Sequence, residues 1–196
     1  MKSKKIAIIQ ISPPRTASTL LMNAILGLIN QDIPVYFINL SDIKKDKKEI
    51  PKLKKHFGNL IILKTHIGAT SIQKAVGKWR RLLFGYKCYF ISSERKDLNR
   101  LINIDNERVL IFPYEVLLET PLNSLKNIID NLHTEISNFL PTHIKLNKDS
   151  CYKRLEEMNK LVLSMQNKNF NEFDDFYGIH GGHRNRGERN IKDNKF

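Results

Sequence analysis

A chain of 196 residues, 41% hydrophobic and 27% charged, has the composition of an ordinary globular protein and the length for one packed domain. Lysine and arginine number 33 against 20 aspartates and glutamates, a formal net charge of +13, which favours an anionic partner: nucleic acid, an anionic membrane, or an anionic cofactor or substrate. The excess is largely lysine in a chain also rich in Ile and Asn, so charge alone does not choose among them. Cys88 and Cys151 stand far apart, in neither a metal-site nor a disulfide pattern, so a reducing compartment is expected. No stretch approaches a membrane span, and the apolar run after Lys4-Lys5 is too short for a signal peptide. The expectation is a soluble, cytoplasmic protein made of one domain, 1–196, with no membrane partner.

In chain order, Ile6-Ala7-Ile8-Ile9-Gln10-Ile11 is short, β-branched and turn-bounded, the pattern of a buried strand. Pro13-Pro14 stops it, because proline has no N–H and restricts the residue before it. Leu20, Leu21, Ala24, Ile25 and Leu28 then recur at helical spacing behind Ser18 and Thr19, residue types preferred at helix N-caps. Strand, tight loop and helix leave Arg15, Thr16, Ala17, Ser18 and Thr19 where free backbone N–H groups and the helix dipole favour an anion. Two readings stay open for the loop alone: an anion site, or a capped helix beside a solvated Arg15. It is not a Walker A motif, since no glycine precedes Gly27.

Pro34 to Asn39 is a second candidate strand. Lys44 to Lys55 holds seven lysines with no interleaved aromatic residue, which suits a solvated face better than a nucleic-acid patch. Leu60-Ile61-Ile62-Leu63 is a third strand running into Lys64-Thr65-His66, and open α/β sheets bind ligands at such strand ends. Residues Thr70 to Phe84 have helical character, with Trp79 and Phe84 expected in the core. Cys88 to Ile91 is a fourth strand, followed by Ser92 to Leu98 as an expected helix start. Arg108 to Phe112 is a fifth strand. Pro121 opens an amphipathic helix carrying Leu122, Leu125, Ile128, Ile129 and Leu132. Another helix is expected over Ser150 to Gln166. A basic Gly/Arg-rich tail begins at about residue 178; Gly181, Gly182, Arg184 and Arg186 suit close approach to a phosphate, and a disordered extension is the alternative after Arg189. The two tail histidines lack carboxylate or cysteine partners, so no metal is expected. The fold class expected is α/β, three layers, with a mostly parallel central sheet of four to five strands flanked by helices.

Pro14-Arg15-Thr16-Ala17-Ser18-Thr19-Leu20-Leu21 resembles the 5′-phosphosulfate-binding loop of the sulfotransferases that use PAPS (3′-phosphoadenosine 5′-phosphosulfate), with Ala17 where glycine is frequent. Lys64-Thr65-His66 resembles the family's strand-end triplet, and Tyr114-Glu115-Val116-Leu117 its apolar strand exit. The resemblance implies a P-loop-NTPase-like fold, PAPS as co-substrate with PAP (3′-phosphoadenosine 5′-phosphate) as product, and no metal. It implies His66 as general base, Lys64 and Arg15 beside the transferring group, and a 5′-phosphate on Thr16, Ala17, Ser18 and Thr19. Lys96-Asp97 match the family's next motif, but Ser93 stands where that motif has an arginine that grips the 3′-phosphate. Arg95, together with Arg184 and Arg186, is therefore expected to serve that phosphate. The acceptor implied is a small molecule or carbohydrate bearing a hydroxyl or an amine. Two rivals are a kinase-like phosphotransferase with a degenerate P-loop, for which a Walker lysine and a Mg²⁺-binding acid are missing, and a non-enzymatic basic module that binds polyanions.

Overall fold

The structure is a computed structural model that describes residues 5–12, 17–29, 35–37, 59–66, 72–94, 101–104, 107–113, 125–164, 173–174, 177 and 179–180. They belong to two compact units interleaved along the chain. Met1–Ser18, Gln31–Leu117 and Asn138–Pro141 make up the first; Thr19–Asn30, Leu118–Ser137 and Thr142–Phe196 make up the second.

The first unit is built on one six-stranded sheet: β1 (Lys5–Ser12), β2 (Val35–Phe37), β3 (Leu60–His66), β4 (Tyr86–Glu94), β5 (Leu101–Ile104) and β6 (Glu107–Pro113), in the order β2-β3-β1-β4-β6-β5. All neighbours pair in parallel except β5, which runs antiparallel to β6 at the edge. The fold is α/β with a mostly parallel sheet, and each of the five expected strands is present. The edge strand β5 is an addition that the sequence reading lacks. Ser92, Ser93 and Glu94 belong to β4 and not to a helix start, because each pairs with β6, opposite Ile111, Phe112 and Pro113.

Alternation along the strands divides the side chains between two faces. Ala7, Ile9, Ile11, Ile61, Leu63, Cys88, Phe90, Val109 and Ile111 form one core with Ala75, Val76 and Trp79 of helix α2 (Ile72–Leu82). The opposite face is buried as well, through Ile6, Ile8, Ile62, Ile91 and Leu110, and Tyr89 there meets Phe139 edge to face at 5.6 Å. Burial on both faces is why these strands read as nearly unbroken apolar runs. Trp79 is in the core as expected. Phe84 is not, being 86% exposed: it sits in the turn between α2 and β4, where Gly85 takes a positive φ of 94°.

The second unit holds nearly all of helix α1 (Ser18–Ile29) and most of α3 (Leu125–Phe139), together with α4 (Lys148–Ser164) and the short pair β7 (Phe173–Asp174) and β8 (Ile179–His180). Leu21, Ala24, Ile25 and Leu28 of α1 are buried, as are Ile128, Ile129, Leu132 and Ile136 of α3, the stripes expected from helical spacing. Asn147 caps α4, its Oδ1 accepting from Ser150 N at 3.0 Å, while its own N–H reaches Leu28 O at 2.7 Å. The expected runs Lys44–Lys55 and Tyr114–Leu117 and the tail from 181 onward lie outside the described residues. Among the described residues no helix is long and apolar enough to cross a membrane.

Helices α1 and α4 touch backbone to backbone at Gly27. A Cβ there would lie 2.6 Å from Cys151 Cα and 3.4 Å from its Cβ, so any side chain must push the two helices apart. Gly27→Ala is expected to lower unfolding stability by roughly 1–3 kcal/mol, the usual penalty of overpacking, read from the midpoint of urea denaturation. An unchanged midpoint would contradict the close crossing.

Candidate functional site

The buried polar residues of the sheet gather toward the carboxyl ends of its central strands. In parallel register Gln10 stands opposite Lys64, and Ser12 opposite His66; on the other side of β1, Gln10 stands opposite Ile91. Since Ile9, Ile11, Leu63 and Phe90 face the Trp79 core, alternation puts Gln10, Ser12, Lys64 and Ser93 together on the opposite face. Strand order places them well: the chain goes from β1 to β2 and β3 on one side, then crosses to β4 and β6 on the other. Ligands of open α/β sheets bind outside the strand ends at such a reversal.

Ser12 is the hub. Its Oγ lies 2.5 Å from Gln10 Nε2, 3.0 Å from Ser93 N and 3.0 Å from Ser93 Oγ, and all three residues are fully buried. Gln10 Nε2, Ser93 N–H and Ser93 Oγ all donate to the Ser12 hydroxyl oxygen. These bonds tie the last residue of β1 to β4 where the loop departs. Gln10 Oε1 is buried and has no hydrogen-bond partner among the described residues.

Lys64 is 5% exposed, and lysine is rarely buried to that degree. Loss of hydration disfavours the ammonium and lowers its pKa from 10.5 to about 8. Burial thus makes the ammonium expensive to hold in this place. An anion received at the strand ends would relieve the cost. Thr65, next in sequence, is buried with its Oγ1 unpartnered among the described residues, and His66 is the last residue of β3.

Ala17, just before α1, has a φ of 55° in the left-handed region. A side chain there costs about 1–2 kcal/mol of backbone strain relative to a right-handed conformation. Ser18 is the first residue of α1 and is buried, and Thr19 is the second; both lie within the first turn, with the left-handed residue just before it. No acidic side chain occupies that turn, so the positive end of the helix dipole is not neutralised by the turn's own residues.

In the second unit, Asn23 ties the first turn of α1 to Tyr177 near the end of the described chain. Its Nδ2 donates to Thr19 O and to Tyr177 O, each at 2.9 Å, and its Oδ1 accepts from Arg154 Nε at 2.9 Å. Arg154 also lies over the Tyr177 ring, 5.0 Å from its centroid, and the Tyr177 hydroxyl donates to Glu157 at 2.7 Å. Burial and that carboxylate push the phenol up to about 12.

Of the expected site residues, Lys64, Ala17, Ser18, Thr19 and Ser93 are thus placed, and His66 is placed by its register. Ser93, at the motif position usually held by arginine, is spent on Ser12. Arg15, Thr16, Arg95, Arg184 and Arg186 lie outside the described residues. Gln10, Ser12 and Asn23 are additions that sequence reading missed; the one available signal was a glutamine interrupting a run of isoleucines. Comparison with protein-family models, with curated proteins and with solved structures finds no match.

Burial of Lys64 makes a pH dependence. Folding lowers its pKa, so between about pH 8 and 10.5 the unfolded chain binds more protons than the folded one, and stability rises with pH across that window. Lys64→Met removes this component. The variant is expected to be more stable than the parent at pH 7, by at most roughly 3 kcal/mol, with the difference shrinking as pH approaches 10. A constant difference across urea titrations at pH 7, 8.5 and 10 would contradict the burial of the charge.

Proposed function

We propose that this chain is a PAPS-dependent sulfotransferase, moving a sulfuryl group from PAPS to a hydroxyl or amine of a small-molecule or carbohydrate acceptor. One observation carries the reading: the buried Lys64 that begins Lys64-Thr65-His66 lies at the carboxyl end of β3, in register with the end of β1, whose loop enters α1 through a left-handed residue. A lysine at the carboxyl end of a parallel strand and a helix N-terminus preceded by a left-handed residue both suit an anionic group. The motif resemblance narrows that anion to a phosphosulfate.

In this reading PAPS supplies an activated sulfuryl group, and the chain supplies binding, charge and a base. Backbone N–H groups from Thr16 to Thr19, with the hydroxyls of Ser18 and Thr19, hold the 5′-phosphate. His66, as a neutral imidazole, takes the acceptor's proton while the acceptor oxygen or nitrogen bonds to sulfur and the sulfur–oxygen bond to the 5′-phosphate breaks. Lys64 and Arg15 meet the negative charge that grows on the departing phosphate, so they act more strongly in the transition state than before it. Arg95, Arg184 and Arg186 serve the 3′-phosphate in place of Ser93, whose hydroxyl is committed to Ser12. A kinase-like reading has Ser18 where the Walker lysine would stand.

Thermal-shift measurement tests the ligand, since whatever binds only the native state raises its melting temperature. PAP is expected to stabilise the protein more than ATP with Mg²⁺; the reverse order favours the phosphotransferase. His66→Ala is expected to reduce kcat by roughly 10²–10⁴-fold with PAP affinity unchanged. Full turnover by that variant with a genuine acceptor would overturn the assigned base.

A further inference from the structure

The amino end of the sheet has no part in the function proposed above, and it gathers charge of one sign. From Pro51 through Ser93 the sequence has nine lysines and arginines and no aspartate or glutamate. Arg80 and Arg81, in the last turn of α2, are exposed, as are Lys87 near the start of β4 and Lys5 at the start of β1. Parallel pairing sets Lys5 opposite Tyr86 and Ile6 opposite Lys87, and the Lys5 ammonium lies 5.5 Å from the centre of the Tyr86 ring. The next acid in strand order is Glu107, where β6 begins. Phe84 sits in the turn that joins the two arginines to Lys87. It is 86% exposed, against 47% and 43% for Tyr152 and Leu163, the other exposed large apolar residues. The turn has a fixed base: Leu83 N–H donates to Trp79 O at 2.8 Å and Tyr86 N–H to Leu83 O at 2.9 Å, with Leu83 and Trp79 fully buried. A lone exposed apolar residue needs no explanation. An aromatic ring held outward on a fixed turn among four cations does.

We infer that this edge is a docking surface for an anionic lipid bilayer: Phe84 enters the interfacial layer while Arg80, Arg81, Lys87 and Lys5 meet the headgroup anions. Aromatic rings settle at the boundary between headgroups and acyl chains, and each lysine or arginine near an anionic leaflet adds attraction. A single-stranded nucleic acid is served by several aromatic faces on which successive bases stack, whereas this edge projects one ring, and Lys5 covers that of Tyr86. A second copy of the chain would set like charge against like. Adsorption needs no span, and among the described residues no helix is long and apolar enough to make one. Ser12 ends β1 roughly 23 Å along the strand from Lys5, so a docked sheet keeps its ligand end turned from the bilayer. The inference does not rest on the sulfotransferase reading.

The test is cosedimentation of the full chain with vesicles of phosphatidylcholine alone and with vesicles in which one lipid in three is phosphatidylserine, at about 0.1 M salt. Binding is expected to the second kind and not to the first. Replacing Arg80 and Arg81 by glutamine is expected to lower the partition coefficient about fivefold for each cation removed, and Phe84→Ser to lower it roughly tenfold, with the melting temperature unchanged in both. Lys145→Gln with Lys153→Gln removes the same charge from exposed positions elsewhere and is expected to leave partitioning within about twofold of the parent. No binding to the phosphatidylserine vesicles overturns the inference. So does an equal loss in the lysine control pair, or no loss in Phe84→Ser, since either means attraction by net charge alone. Displacement from the vesicles by PAP would mean that headgroups occupy the ligand end, and it overturns the inference as well. Tighter binding of an oligodeoxythymidylate, lost in Phe84→Ser, would assign the edge to single-stranded nucleic acid instead.

Discussion

Everything at the ligand end of this sheet follows from holding the ammonium of Lys64 almost out of water. Burying a charge is among the most expensive things a fold can do, and most proteins avoid it by leaving lysine at the surface. Here the lysine sits on a central strand, flanked by β1 on one side and β2 on the other, with 5% of its surface exposed. The strand around it is apolar, so the charge is neither diluted by water nor screened by salt as a surface lysine would be. A field of that kind, fixed in advance and low in reorganisation, is what a site handling a transferring anionic group requires.

The same end of the sheet is stiffened by hydrogen bonds that run across strands. Ser12, at the exit of β1, is bonded to Gln10 behind it and to both the backbone and the hydroxyl of Ser93 on β4. The end of β1 therefore cannot shift without breaking buried bonds, and Ala17, just before α1, has a left-handed backbone. Strain of this sort persists only where the surroundings over-determine it, and it clusters at ligand-binding turns. In the second unit Asn23 does comparable work for the first turn of α1, using both amide hydrogens and its carbonyl oxygen.

Much of this was legible in the residues, and the exceptions share a cause. The strands β1, β3, β4 and β6 announce themselves because both of their faces are buried and each carries a run of four or more apolar residues. The edge strand β5 is four residues long and exists through its pairing with β6, which no local pattern encodes. Ser92-Ser93-Glu94 has the composition of a helix start, yet long-range pairing and the bonds to Ser12 hold it extended. Phe84 looks like a core aromatic, and the turn at Gly85 turns it outward. Lys64 and Ala17 stood out by motif. Gln10 did not, because its place depends on register: only when β1 is laid against β3 does it stand opposite Lys64.

The central proposal is that the carboxyl ends of β1 and β3, with Ala17 and Ser18, receive one phosphate-bearing nucleotide. Backbone amide NMR of the ¹⁵N-labelled protein titrated with PAP tests it without needing an acceptor or any turnover. The expected result is saturable perturbation centred on Ala17, Ser18 and Thr19 and on Lys64, Thr65 and His66, with the basic outer face of α2 around Lys74 and Arg81 unaffected. Perturbation confined to that lysine- and arginine-bearing face, with the strand ends silent, would contradict the account and leave a protein that attracts anions by charge alone.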